Sequence, residues 1–470
     1  MTEKNSKHSK DLKIPDKQRA LVLQGGGALG AYEVGVLKVL CKKLPKSGGT
    51  NTENGPLFDV IAGSSMGAMN AAVLVSNVVN RHKSWQEAVQ VLEDFWVNQQ
   101  YGLSSTPDIS KWLNDEEKQK MFRASKEALR RYYSVKAYKE QGTPNVCSAP
   151  EAEVDYKYAD SDPLYKWYLH DIDPLQNTIE GYSKDKGNEK LRIATSMSRR
   201  EPRLLVISVD AGEGKTVAFD SYHTKDDSEN SVYESDGITI DHVMTSGTIP
   251  IFYKFRVIGG RSFYDGGFLN NTPFRELLQA HREYWTKVIG DDKAKIPDLD
   301  VYIINVHPSK KDTIPTDYDG ANDRLTDITY SDRNSRYDEM VTHLITDYNE
   351  QKDTLHECTE LINKLKSLKN QLTNTSEGIT FHNEIEPLIM TVEGKMEACK
   401  DRQEKYKDLI KGKFKLTKVV RIERTSDIDT GTGMEADYSS KSIDFTYDSI
   451  KKLIEQGEED AHEVLGMLVS

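Results

Sequence analysis

The fold is decided by residues 57–75, which read LFDVIAGSSMGAMNAAVLV. The first six residues are apolar except for Asp59 and predict a short buried strand, and residues 66–79 combine small and apolar side chains in a helical pattern. Between them Gly63, Ser65 and Gly67 fit the pattern G-x-S-x-G. A serine at a sharp strand-to-helix turn projects its hydroxyl out of the sheet, so the segment predicts a nucleophile elbow with Ser65 as the attacking group.

A similar unit precedes this one along the chain. Residues 20–24 predict a buried strand, Gly25–Gly27 and Gly30 follow it, and residues 34–40 place apolar side chains at helical spacing. Two successive strand-turn-helix units predict the α/β class with a mostly parallel central sheet. Functional loops then belong at the carboxyl ends of the strands.

The glycine-rich loop has two interpretations. Gly25, Gly27 and Gly30 fit G-x-G-x-x-G, which occurs in dinucleotide-binding sites. Such a site needs an acidic residue at the end of the next strand, whereas here the next strand leads into the serine turn. We therefore favour an oxyanion hole built from the amides of Gly26 and Gly27. A nucleotide-binding oxidoreductase stays the alternative.

A serine nucleophile needs a base, and two residues are candidates. His307 follows the apolar strand predicted at residues 301–306. Asp265 ends a short predicted strand and is followed by Gly266 and Gly267, which allow the backbone to approach a reacting centre closely. An aspartate with the usual pKa near ~3.9 is a weak base, but burial raises that pKa. We favour Asp265.

Together these segments resemble the patatin-like phospholipases, which are acyl hydrolases with a Ser-Asp dyad. The resemblance rests on Gly25–Gly30, Gly63–Gly67 and Asp265–Gly267, supported by residues 246–250. Residues 442–457 resemble a bacterial or archaeal branch of that family.

The resemblance implies a three-layer sandwich with Ser65 as nucleophile, Asp265 as general base and the Gly25–Gly27 amides as oxyanion hole. It implies an acyl-serine intermediate, no metal or cofactor, and a lipid or other acyl-ester substrate. Many members carry Arg or Lys in the glycine-rich loop where this chain has Leu29, so both phospholipids and neutral esters stay open. Candidates for the acyl-chain slot are Ile251, Phe252, Tyr253 and Phe255.

The pattern along the chain predicts four segments. They are a basic tail at 1–18, an α/β domain at 19–333 with an irregular excursion at about 140–190, a long helical hairpin inserted at 334–412, and a strand and helix at 413–470 that return to the core. The hairpin could pack on the core, pair with a second copy of the chain, or contact a membrane. A catalytically idle lipid-binding or scaffold protein built around it is a further alternative.

Composition excludes several classes of protein. The net charge of −12 argues against nucleic acid as a partner. No run approaches the ~18 to 20 apolar residues of a spanning helix, so we expect any membrane contact to be peripheral. The four cysteines form neither a metal-site spacing nor a dense disulfide framework, which predicts a cytoplasmic location.

Overall fold

The structure is a computed structural model, and it describes residues 14–45, 56–98, 115–143, 145–148, 168–185, 190–222, 237–291, 294–311, 314–371, 381–405, 411–425 and 437–467. Two compact units are present. The larger is drawn from Lys17–Leu277, Asp300–Ser335 and Lys418–Ser470, and the smaller from Met1–Asp16, Leu278–Leu299 and Arg336–Thr417.

The strands, numbered along the chain, are β1 (Lys17–Leu23), β2 (Val60–Ser64), β3 (Gly142–Thr143), β4 (Cys147–Ser148), β5 (Arg192–Ile193), β6 (Arg203–Asp210), β7 (Lys215–Asp220), β8 (Ile238–Thr239), β9 (Arg256–Ile258), β10 (Arg261–Asp265), β11 (Asp298–Asn305) and β12 (Leu416–Glu423). The main sheet has the order β12-β11-β1-β2-β6-β10-β9, with β7 also paired to β6. β1, β2 and β6 are parallel, whereas β10 and β7 are antiparallel to β6. The sheet is therefore mixed but mostly parallel, as the sequence predicts.

The helices are α1 (Gly30–Lys43), α2 (Met66–Val79), α3 (Trp85–Asn98), α4 (Glu116–Gln141), α5 (Asp173–Ser183), α6 (Ile240–Thr245), α7 (Phe274–Ile289), α8 (Tyr318–Tyr330), α9 (Ser335–Gln371), α10 (Glu386–Lys405) and α11 (Tyr447–Met467). Helices flank the sheet and bury the apolar strand residues, which confirms the predicted α/β fold. None of the described helices has the length and apolar content needed to cross a membrane.

The smaller unit contains the predicted helical hairpin. Ile362 of α9 packs against Ile389 of α10, and Lys366 Nζ lies 2.7 Å from Glu393 Oε1. The sequence predicts a turn between these two helices at residues 374–378, and those residues lie outside the described part of the chain. Within this unit the two helices therefore run side by side, joined by one small apolar cluster and an ion pair.

Two sequence expectations differ from the structure. The excursion at about 140–190 contains α5, an amphipathic helix that begins with Asp173-Pro174 and buries Leu175 and Ile179. The pattern from Tyr447 predicts a last helix that ends near Gln456, but α11 continues to Met467 because Ala461 and Leu465 extend its buried face. Both predictions gave too much weight to the exposed polar residues and too little to the apolar positions between them.

The packing of α1 on α11 within the larger unit depends on two glycines. A Cβ on Gly35 would lie 1.9 Å from the Ile454 carbonyl oxygen, and a Cβ on Gly457 would lie 2.1 Å from the Tyr32 carbonyl oxygen. Backbone atoms cannot move aside as a flexible side chain can. The two helices therefore approach so closely that neither has room for a side chain at this point.

We expect Gly35→Ala to lower the free energy of unfolding by about 1–3 kcal/mol, because the added methyl overpacks this contact. Gly466→Ala, at the end of α11, is the matched control. No atom lies within 4 Å of its added Cβ, so the higher helix propensity of alanine should leave stability equal or slightly higher. Urea unfolding measures both variants, and equal stabilities for the two would contradict the close approach.

Candidate active site

Ser65 occupies a strained turn between β2 and α2. Its backbone angles are φ 53° and ψ −128°, a region that residues with a side chain rarely adopt. Strain of this kind costs on the order of 1–3 kcal/mol and persists only where the surroundings impose it. Here the Ser65 amide donates to Ser246 Oγ at 2.9 Å, and the Ser246 hydroxyl donates to the Ile207 carbonyl of β6. The neighbouring strand thus holds the elbow in place.

The glycines of the elbow are required by close backbone approach. A Cβ on Gly63 would lie 2.5 Å from the Gly67 carbonyl oxygen, and a Cβ on Gly67 would lie 2.5 Å from the Leu23 carbonyl oxygen. Any side chain at either position would push α2 away from the sheet. Tight packing of the turn therefore requires both glycines of the G-x-S-x-G pattern.

The two predicted catalytic residues are in contact. Ser65 Oγ donates a 2.6 Å hydrogen bond to Asp265 Oδ2, across 200 residues of sequence. Asp265 ends β10, and its other carboxylate oxygen accepts from the Gly267 amide at 2.7 Å. A Cβ on the intervening Gly266 would lie 2.4 Å from the Ile207 carbonyl oxygen, so this turn too lies directly against β6.

The carboxyl group of Asp265 is removed from water. Asp265 is 3% exposed, and burial raises the pKa of its carboxyl group to about 7. The hydrogen bonds from Ser65 and Gly267 act in the opposite direction, because they stabilise the charged form. A carboxylate that titrates near neutral pH is a far stronger base than an exposed aspartate.

The glycine-rich loop lies beside the nucleophile. A Cβ on Gly25 would lie 2.6 Å from Ser65 Cβ, and Gly27, at φ 57°, begins a 3₁₀ turn that leads through Leu29 into α1 at Gly30. One prediction needs correction: the Gly25 amide donates to the Asn271 carbonyl, so it is not free to hold an oxyanion. Among the described residues the Gly26 and Gly27 amides have no such partner.

His307 makes no hydrogen bond to Ser65 in the described part of the chain. Its Nδ1 lies 3.1 Å from Asp327 Oδ1, while the Ser65 hydroxyl is bonded to Asp265. Burial lowers the pKa of His307, so its ring is neutral at pH 7. The alternative in which His307 is the base for Ser65 is therefore not supported by the geometry.

Two buried amides that sequence reasoning missed hold the site together. Gln24 Oε1 accepts from the Val306 and His307 amides at 2.8 and 2.9 Å, and Gln24 Nε2 donates to the Tyr330 carbonyl at 3.1 Å. Asn271 Nδ2 donates to the Gly25 carbonyl at 2.9 Å and to the Tyr330 carbonyl at 2.8 Å. The one available signal was position: Gln24 is the last residue of a predicted strand, directly before the glycine-rich loop, and Asn271 lies four residues after Gly267.

A cavity of about 280 Å³ opens over the dyad. One part of its wall is apolar and includes Met69, Ile172, Leu175 and Phe252, and the part beside the glycine loop is formed by Asn271, His307, Thr326, Tyr330 and Ser442. Of the slot candidates, Phe252 and Tyr253 line the cavity, whereas Ile251 is 70% exposed and Phe255 packs on Tyr264. No Lys or Arg is among the described residues that line it.

A cluster of three carboxylates lies behind His307. Asp323, Asp327 and Asp437 have carboxylate oxygens within 4.8 Å of one another, close enough to surround a cation. Lys441 Nζ already occupies that position, at 2.8 to 2.9 Å from all three. The lysine therefore supplies the positive charge that a metal ion would otherwise bring.

Comparison with known proteins gives one family match. Residues 21–278, more than half of the chain, match the patatin-like phospholipases. No curated protein matches the chain. Among solved structures, the crystal structure of VipD from Legionella pneumophila aligns at 11% identity over 94% of this chain and 67% of that one. Its TM-score is 0.27, a similarity that carries no argument here.

The family match includes the glycine loop, the serine elbow and the Asp265 turn, so it covers all three segments that form the site. The chain belongs to the patatin-like phospholipase family, whose members are lipid acyl hydrolases.

Proposed function

We propose that the protein hydrolyses fatty-acyl esters, with Ser65 as nucleophile and Asp265 as the general base. The observation that carries the proposal is the 2.6 Å hydrogen bond from Ser65 Oγ to a buried carboxylate. Direct contact removes the need for a histidine between acid and nucleophile.

The reaction has two steps. In the first, Asp265 takes the proton from Ser65 as its oxygen attacks the ester carbonyl, and passes that proton to the departing alcohol, leaving an acyl-serine. In the second, Asp265 takes a proton from water as the water attacks the acyl-serine. The fatty acid leaves, and the proton returns to Ser65.

The oxyanion formed in each step needs hydrogen-bond donors. The Gly26 and Gly27 amides are the candidates, since they lie beside Ser65 and have no other partner among the described residues. A single donor of this kind is worth about 2.7–4 kcal/mol of barrier. The start of α2 at Met66 adds a positive dipole end near the same place.

The apolar part of the cavity suits the acyl chain. Met69, Ile172, Leu175 and Phe252 offer contact surface without polar groups, so a hydrocarbon chain gains free energy by leaving water there. The alcohol portion of the ester then lies toward His307 and Tyr330. This arrangement places the scissile carbonyl above Ser65.

We expect a fluorophosphonate probe to label wild-type protein at Ser65, and Ser65→Ala to abolish both labelling and ester hydrolysis. Asp265→Asn should lower kcat/KM by about 10²- to 10⁴-fold, the usual contribution of a general base. Labelling is mapped by mass spectrometry of peptides, and hydrolysis is followed with a chromogenic acyl ester.

Ser64→Ala is the matched control for this experiment. The Ser64 hydroxyl is buried one residue before the nucleophile and has no hydrogen-bond partner among the described residues, so its removal should leave labelling intact. Folded wild-type protein that stays unlabelled at Ser65, or Asp265→Asn protein with full activity, would contradict the proposal.

The pH dependence follows from the raised pKa of Asp265. The base must be ionised to accept a proton, so kcat/KM should be constant above pH 7 and should fall about tenfold per pH unit below about 7. Residual activity of Asp265→Asn should lack this inflection. A wild-type profile that stays flat down to pH 5 would show that another group is the base.

A further inference from the structure

Beside the dyad, two polar side chains face the cavity without a protein partner at their outer atoms. They are the His307 imidazole, at the end of β11, and the Tyr330 hydroxyl, at the end of α8. Neither Nε2 of His307 nor Oη of Tyr330 makes a hydrogen bond to the described residues. The mechanism proposed above uses neither group.

The contacts around His307 determine which ring nitrogen carries the proton. Asp327 is held ionised, since hydrogen bonds from His307 and Lys441 and the Lys441 charge lower its pKa despite burial. A carboxylate only accepts hydrogen bonds, so Nδ1 of the neutral ring is the donor to Asp327. Nε2 then presents a lone pair and acts as a hydrogen-bond acceptor.

Tyr330 complements this acceptor. Its ring lies 5.7 Å from the His307 ring and 6.1 Å from the Phe268 ring. Burial raises the pKa of the phenol, and the nearby Asp265 charge raises it further. The phenol therefore stays protonated at neutral pH and donates. One substrate hydroxyl can accept from Tyr330 while it donates to His307.

The pair is fixed relative to the reacting centre. Gln24 binds the His307 amide and the Tyr330 carbonyl, and Asn271 binds the Tyr330 and Gly25 carbonyls. Four hydrogen bonds thus connect the backbone of both residues to the loop beside Ser65. A group bound between them is held at a constant distance from the scissile ester.

The charge of the cavity limits the class of substrate. Arg and Lys are missing from its described lining, and Leu29, where a cation could hold phosphate, is buried outside it. A phosphate placed beside Asp265 would meet like charge without compensation. A neutral alcohol portion with free hydroxyls meets an acceptor and a donor instead.

We propose that His307 and Tyr330 form a hydroxyl-binding subsite that selects acyl esters of uncharged polyols, such as monoacylglycerols, over phosphate-bearing lipids. This inference rests on the proposed function, since it concerns the alcohol portion of the ester that Ser65 attacks. Both residues are specificity determinants and leave the proton transfers to Asp265.

The test compares four esters of one fatty acid: the monoacylglycerol, its dimethyl ether, the methyl ester and the lysophosphatidylcholine. Wild-type protein should prefer the monoacylglycerol to the dimethyl ether by about threefold to tenfold in kcat/KM, as expected for a hydrogen bond between neutral groups. The monoacylglycerol and the lysophosphatidylcholine both carry a free hydroxyl, and the lysophosphatidylcholine should be the poorer substrate of these two.

Tyr330→Phe keeps the ring contacts and removes only the hydroxyl. It should bring the ratio of monoacylglycerol to dimethyl ether close to one, with a smaller change in kcat/KM for the methyl ester than for the monoacylglycerol, and Ser65 should still be labelled. His307→Ala should act in the same way, and His307→Gln, which restores an acceptor, should recover part of the preference. Tyr318→Phe, an exposed tyrosine on the same helix, is the matched control and should match wild type.

Three results would overturn the subsite. They are a wild-type ratio near one, a ratio that Tyr330→Phe leaves unchanged, and a preference for lysophosphatidylcholine over the monoacylglycerol. In each case hydrolysis and Ser65 labelling persist, so the proposed function would stand. Absence of both labelling and hydrolysis in wild-type protein would instead overturn the proposed function, and the subsite with it.

Discussion

The site depends on one hydrogen bond, from the Ser65 hydroxyl to the buried Asp265 carboxylate. Ser65 follows β2 and Asp265 ends β10, the two strands that flank β6. The ends of these strands pair with Ile207 and Ser208 of β6, so the two residues lie at the same level of the sheet. Burial of the carboxylate costs free energy and at the same time raises its pKa to about 7, which suits a base. Removing the Asp265 carboxylate from water therefore lowers the stability of the fold and makes the carboxylate a stronger base.

This contact imposes strict limits on the backbone around it. Ser65 adopts a positive φ, and Gly25, Gly63 and Gly266 lie where any Cβ would meet other atoms at 2.4 to 2.6 Å. β6 supports both halves, because its Ile207 carbonyl accepts from Ser246 and faces Gly266. Small residues at the carboxyl ends of adjacent strands thus let a strained serine and a buried acid meet.

Sequence predicted the local parts of this arrangement and missed the long-range ones. The Ser65 elbow and the Asp265 turn can be predicted from neighbouring residues, because glycines stand at fixed positions after apolar strands. The helices at 334–412 can be predicted from the helical spacing of their apolar residues. Gln24 and Asn271 could not be identified, because the partners named above lie 59 to 306 residues away in sequence. The Gly25 amide was misassigned for the same reason, since its acceptor is the distant Asn271 carbonyl.

Burial raises the pKa of Asp265 to about 7, and the hydrogen bond from Ser65 limits that rise. The most direct measurement is a ¹³C NMR titration of protein labelled at the aspartate carboxyl carbons, with the Asp265 signal assigned by its loss in Asp265→Asn. The account predicts a midpoint at about pH 7, and a higher midpoint in Ser65→Ala because the stabilising hydroxyl is gone. A midpoint near the usual aspartate value of ~4, unchanged by Ser65→Ala, would contradict it.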